Sequence, residues 1–298
     1  MAASRAKQIL FANGKNAAKQ LKAYPALGSG NLAPTTLIAG SKTMLDVPAL
    51  AFVAPSGRVF TCNYFTGEIL GYAAAARGNV APLRRIAGSN DPIRLCRAVV
   101  VDGTGRIAGA GAAKPGEPDA VYVWGPVARG NVKPNATISG NATKLGMPSA
   151  LVFGPNGILY VANYEASTVT AYARNANGNV APLRVLGGSR TQLNRPVAMA
   201  LRSGMLYVVN VSNASITAYR VSQNGDVSPT IAISGSKTSL ASPSGIALDA
   251  AGFLYVSNRA PNGKGYLTVY APGADGNVAP VQTIRGSNVD VIGQIAVR

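Results

Sequence analysis

The chain repeats itself six times, and this constrains its fold more than any other feature. The string Gly-Asn/Asp-x-x-Pro begins at Gly30, Gly78, Gly130, Gly178, Gly225 and Gly276, with spacings of 48, 52, 48, 47 and 51 residues. A second glycine lies ten residues after each (Gly40, Gly88, Gly140, Gly188, Gly235, Gly286). Eight residues further stand Pro48, Cys96, Pro148, Pro196, Pro243 and Gln294. An aromatic residue precedes each first glycine by six positions: Tyr24, Tyr72, Trp124, Tyr172, Tyr219 and Tyr270. Self-similarity at this period marks a repeat architecture, in which each unit buries its apolar faces against its neighbours.

One unit reads as four short strands. Pro243 to Asp249 is apolar and rich in small residues, as an inner strand a requires. Phe253 to Asn258 (strand b) and Leu267 to Ala271 (strand c) are β-branched and aromatic. Val278 to Arg285 is the expected outer strand d. The pairs Asn177-Gly178, Asn224-Gly225 and Asp275-Gly276 predict c–d hairpins with positive φ at both turn residues. Proline at the start of strand d (Pro82, Pro134, Pro182, Pro280) and cations along it (Arg84, Arg85, Arg184, Arg285) predict an exposed edge.

These units predict an all-β, six-bladed β-propeller of four-stranded antiparallel blades in a single domain. The blades span 48–88, 95–140, 148–188, 196–235 and 243–286, with a composite blade from residues 1–40 plus 292–298. Residues 1–40 supply only strands b, c and d, so the C-terminal strand a is expected to close the ring. Trp124, in the register of the repeated tyrosines, is expected in the core.

Composition limits the chemistry. The 298 residues contain no histidine, which excludes Ser-His and Cys-His nucleophile pairs, His-ligated zinc and an imidazole base. Lys and Arg number 28 against 11 Asp and Glu. The excess is distributed round the units, which predicts weak, salt-sensitive adhesion to polyanions and no focused anion pocket. Cys62 and Cys96 fall near one face of adjacent blades; a disulfide or two small buried thiols both fit. No apolar run reaches membrane-span length, and no leader is legible.

The string P-x-G-I-A-L-D-x-x-G-x-L-Y-V-x-N, then L-T-V-Y, over 243–270 resembles the NHL repeat. The G-N-V-A-P strings look closest to those of bacterial secreted proteins. The resemblance implies a propeller, an architecture shared with gluconolactonase-like and strictosidine-synthase-like enzymes and with NHL domains that bind RNA or protein. Asn13, Asn63, Asn163, Asn210 and Asn258 stand where that repeat usually has Asp, and its Arg before strand c is missing. The resemblance therefore carries the fold and no single activity. Secretion or an envelope location is the expectation it adds, with a cytoplasmic location as the alternative.

Function is sought where the repeats differ. From the end of strand b to the strand-c aromatic the spacings are 11, 9, 13, 9, 9 and 12, so variation concentrates in the b–c loops. The long ones are Gly14 to Lys19, Ala112 to Asp119 and Arg259 to Tyr266. With the d–a loops they form one face, which is the expected binding face. Candidate contacts there are Arg97, Asn63, Tyr64, Asn163, Tyr164, Asn210 and Asn258. Repetition of the Asn in five blades also fits a structural turn role. Gly111 interrupts the series beside the longest loop.

No carboxylate pair with catalytic spacing is legible, and no cofactor is expected. The sequence therefore points to a non-catalytic, monomeric interaction propeller that engages a polysaccharide, peptide or protein. The alternatives are a metal-dependent lactone hydrolase without histidine and a single-stranded RNA-binding propeller.

Overall fold

The computed structural model describes residues 8–13, 19–26, 28–112, 117–289 and 291–298. Its strands form six four-stranded antiparallel sheets, arranged as the blades of a β-propeller. In five sheets every strand has three residues or more. In the sheet of residues 52–86 the inner strand shrinks to Phe52–Val53, extended by an isolated bridge between Pro48 and Asn63. The C-terminal strand Ile295–Val297 pairs antiparallel with Gln8–Asn13, so the first sheet is built from both ends of the chain. We number this composite sheet blade one and the rest in chain order.

Apolar side chains of neighbouring sheets interleave to make the core. Trp124, Tyr24, Tyr72, Tyr172, Tyr219 and Tyr270 are its largest fully buried members. Each polar tip finds a carbonyl, as burial demands. Tyr72 donates to Thr43 O at 2.5 Å, Tyr270 to Thr238 O at 2.6 Å, and Tyr172 and Tyr219 to Thr143 O and Thr191 O. These carbonyls belong to the loop that enters the tyrosine's own blade.

The repeated Gly-Asn/Asp-x-x-Pro is not a c–d hairpin. Strand c turns earlier, as where Ala176 N donates to Ala173 O, and the chain then crosses to the outer strand of the preceding blade. There Gly178 N donates to Thr137 O at 2.6 Å, and Ser139 N to Gly178 O at 3.3 Å. All six repeat glycines form the same parallel bridge, including Gly30 with Ile284. The outer strands expected as open edges are thus partly covered by their neighbours, which protects their backbone groups. This detour also shortens the outer strand, from the expected Val278–Arg285 to Gln282–Ile284.

Side chains lock the crossing segment. Asn177 Oδ1 accepts from Thr137 N at 2.9 Å, and Asn179 Oδ1 from Ala142 N at 2.8 Å. Only Gly178, not Asn177, has positive φ, so the Asn-Gly pair serves a clasp between blades. A Cβ on Gly178 would meet nothing within 4 Å, so this glycine is needed for its φ of +76° alone. Gly140 is needed twice, for its φ of +105° and because a Cβ would lie 2.6 Å from Asn179 Oδ1. Gly178→Ala should cost about 1–2 kcal/mol, the left-handed penalty, and Gly140→Ala clearly more. Urea unfolding would measure both; an equal loss at the two sites would contradict the clasp.

Arginines make further junctions. Arg84 donates to Ala128 O, Gly105 O and Gly125 O at 2.7–3.0 Å, all in the next blade. Part of the large positive charge is therefore structural, since a guanidinium gathers several carbonyls at once.

Candidate functional site

The expected site residues divide on inspection of their partners. Asn63, Asn163, Asn210 and Asn258 stand at or beside the ends of their strands, fully buried. Each amide oxygen accepts a backbone N–H from the loop that enters the same blade: Asp46, Gly146, Asn194 and Ala241, at 2.8–3.2 Å. The amide nitrogens donate internally as well. Asn163 reaches Thr168 Oγ1 and Thr170 Oγ1, Asn210 reaches Ser215 and Thr217, and Asn258 reaches Thr268. Asn63 reaches Met44 O and Glu68. Such bonding stitches the inner loop to strand c and leaves these four side chains inside the scaffold. The side chain of Asn13 lies outside the described residues.

Gly111 has a steric cause. A Cβ there would lie 2.8 Å from Arg94 O and 2.9 Å from Leu95 O. Strand a of blade three starts early, at Arg94, and its main chain takes the room that Asn occupies elsewhere. Arg97 is paired with Asp119 at the end of the adjoining long loop. Of that loop, residues 113–116 lie outside the described residues, as do 14–18 of the first long loop.

Tyr64 and Tyr164 remain near the surface. Tyr64 meets Phe65 edge-to-face at 5.0 Å, and Phe65 is 62% exposed. Arg195 lies over the Tyr164 ring at 5.5 Å. Cys62 and Cys96 form a disulfide between blades two and three, with Cα atoms 6.3 Å apart.

A large cavity lies elsewhere, on the propeller axis. It measures about 570 Å³ and is lined by the inner strands of all six blades. Its wall runs from mid-strand to the a–b turns at Pro55, Gly103, Gly154 and Ala250, so it opens on the face opposite the b–c and d–a loops. Exposure rises in that direction: Leu50, Val99, Leu151 and Ile246 are buried, while Phe52, Val53, Phe153, Leu201 and Leu248 are half-buried. At the inner end Gln294 reaches across blade six, its Nε2 donating to Val197 O at 2.7 Å.

Four polar residues interrupt this apolar wall: Asp102, Arg202, Asp249 and Gln294. Asp102 and Asp249 close the a–b turns of their blades. Asp102 Oδ1 accepts from Thr104 N, Thr104 Oγ1 and Arg106 N at 2.7–3.0 Å. Burial works against its charge, yet these bonds and the Arg106 guanidinium hold its carboxyl below the usual range. Asp249 accepts from Phe253 N and Tyr255 OH. Burial and that carboxylate push the Tyr255 phenol up to about 12.

Blade five differs. One residue is missing before Gly204, and Ser203 and Gly204 both have positive φ, which makes a two-residue hairpin. Arg202 therefore has no turn to close. Neither the cavity's face nor Arg202 was anticipated from sequence, although an Arg in the register of Asp102 and Asp249 was a legible signal. Among the described residues no group of three His, Cys, Asp or Glu could hold a metal, and no helix is long and apolar enough to cross a membrane.

No family model matches the chain, and no curated protein matches it. Solved structures do resemble it. A Bacteroides caccae protein of unknown function superposes with TM-score 0.63 at 13% identity, covering 97% of this chain and 98% of that one. A candidate 6-phosphogluconolactonase from Bacteroides fragilis gives TM-score 0.64 at 13% identity, covering 95% and 83%. A streptogramin B lyase gives 0.52 at 11%, covering 91% and 82%. At these identities the likeness establishes the propeller and no activity.

Proposed function

We propose that this chain is a non-catalytic binding protein, a single ring of six blades of NHL-like type, whose ligand enters the axial cavity from the a–b face. The observation that carries this reading is the cavity itself. It is concave, apolar and preformed, and its volume falls within the roughly 300–1,000 Å³ range of small-molecule sites. The disulfide between Cys62 and Cys96 supports an oxidising location, outside the cytoplasm.

The apolar fluorophore N-phenylnaphthylamine tests the reading. Saturable binding at one site per chain is expected, and Ala200→Trp, which places an indole on the half-buried cavity wall, should abolish it. Absence of saturable binding by the native chain would refute the cavity as a ligand site.

One observation favours a second surface. Phe65, with Tyr64 against its edge, is a large exposed aromatic on the b–c loop face. It suits the stacking of a sugar ring or a peptide side chain. A glycan and peptide array in which Phe65→Ala removes every signal would support that surface; an array blank for the native chain would dismiss it.

A further inference from the structure

We infer that the ligand of the axial cavity is an amphiphile, with an apolar body in the channel and a carboxylate head received by Arg202 at the mouth. This rests on the reading of the cavity as the ligand site, and it specifies the ligand's chemistry.

Most polar groups of the wall are already engaged. Asp102 accepts three hydrogen bonds through Oδ1 and faces Arg106 Nε at 3.2 Å through Oδ2. Asp249 accepts through both oxygens. Gln294 is bonded to Val197 O. A cationic or hydroxyl head would have to share carboxylates already committed to their turns. Arg202 is placed otherwise. Its Nη2 donates to Ala250 O at 2.7 Å, which fixes the guanidinium beside the mouth. A guanidinium has five N–H donors, so most remain for a ligand. Gly252 makes room for the guanidinium to lie there, since a Cβ would come within 3.1 Å of Arg202 Nη1.

Arg106, paired with Asp102, shows the contrast. It faces Asp102 through Nε and donates to Arg174 O and Gly157 O, and its guanidinium lies 5.0 Å from the centre of the Phe153 ring. It is closed where Arg202 is open. A planar carboxylate matches the geometry of the guanidinium fork. The positive chain as a whole draws anions to it. Below the head the wall is aliphatic and aromatic from Leu201 and Leu248 inwards to Val99 and Ile246. Between the mouth and Gln294 at the inner end, that wall offers an alkyl or aryl body no polar side chain.

Displacement of N-phenylnaphthylamine by decanoate and by decanol tests this directly. Decanoate should displace the probe about tenfold more tightly than decanol, as one charge-assisted contact at a partly solvated mouth allows. Arg202→Gln should bring the two together by weakening decanoate alone. Equal displacement by decanoate and decanol in the native chain would overturn the carboxylate assignment and leave the cavity reading standing. Probe binding that neither compound displaces would also overturn it. Failure of the probe itself to bind would remove the cavity reading. The native comparison needs no variant, so the assignment stays testable even if Arg202→Gln does not fold.

Discussion

Asp91→Asn is expected to remove a loss of stability that the native protein suffers as pH rises from about 4 to 7. The reason lies in a comparison internal to the chain. Thr43, Thr143, Thr191 and Thr238 occupy one register in the d–a loops and are fully buried. Each hydroxyl donates to the glycine carbonyl three residues back at 2.6–2.7 Å. Each also accepts the N–H two residues on, at 3.3–3.4 Å. Asp91 takes this register between blades two and three. Its Oδ1 accepts from Ile93 N at 3.1 Å, as the threonine oxygen does, but its buried Oδ2 has no hydrogen-bond partner. The matching carbonyl, Gly88 O, can only accept, so the carboxyl needs a proton to replace the threonine hydroxyl.

Burial pushes the Asp91 carboxyl up to about 7; the Ile93 N–H and the Arg94 charge oppose this, and Glu68 adds to it. The Tyr122 phenol is the other titratable group that senses Asp91. The sign follows. The unfolded aspartate loses its proton near 3.8, whereas the folded one keeps it to about 7. Between these values the folded state binds the extra proton, so stability falls as pH rises and levels off above about 7. The full loss is on the order of a few kcal/mol. Urea unfolding at pH 5 and pH 8 should show it in the native chain. Asp91→Asn offers a neutral donor, and Asp91→Thr restores the repeat; both should flatten this component. An unchanged pH slope in both variants would show that Asp91 is ionised throughout.

What the sequence could disclose divides along one line: a repeat reveals that a position matters, but not across which interface. The glycines, the tyrosine register and the closing C-terminal strand were legible because each sits at a fixed offset. The partners of Gly178 and Asn179 were not, because they lie about forty residues back, on the preceding blade. The Asn-Gly pair by itself therefore predicts only a local hairpin. The Asn series was legible as a series, yet its burial depends on an inner loop folding over it. Gly111 was legible as a break in the series, but an absent side chain does not say what fills its place. The cavity was beyond reach for another reason. Apolar inner strands were expected, but the free space between them depends on how the blades meet at the axis, which no single blade encodes. Asp91 and Arg202 are intermediate cases, since each departs from its repeat register in plain view.

Removing the disulfide is the other change with a large expected effect, and its location predicts where the ring should loosen. The bond joins Cys62 to Cys96 across a sequence separation of 34 residues. In the chain-entropy model, closing a loop of that size is worth about 4 kcal/mol. Both cysteines are fully buried within the cluster that includes Leu50, Phe60, Ile69, Ile93 and Trp124. They tie the blade with the shortest inner strand, Phe52–Val53, to the blade with the longest, Arg94–Val101. Every junction carries the same glycine bridge, but this one alone, among the described residues, has a covalent tie. The double variant Cys62→Ala, Cys96→Ala should therefore lose about 4 kcal/mol in urea. Its hydrogen-exchange protection should fall first over residues 48–88, since blades open as local cooperative units. Protection lost evenly round the ring would mean that the blades unfold together and that the bond stabilises only the whole. An unchanged urea midpoint would mean that the clasps and the buried cluster already hold this junction without it.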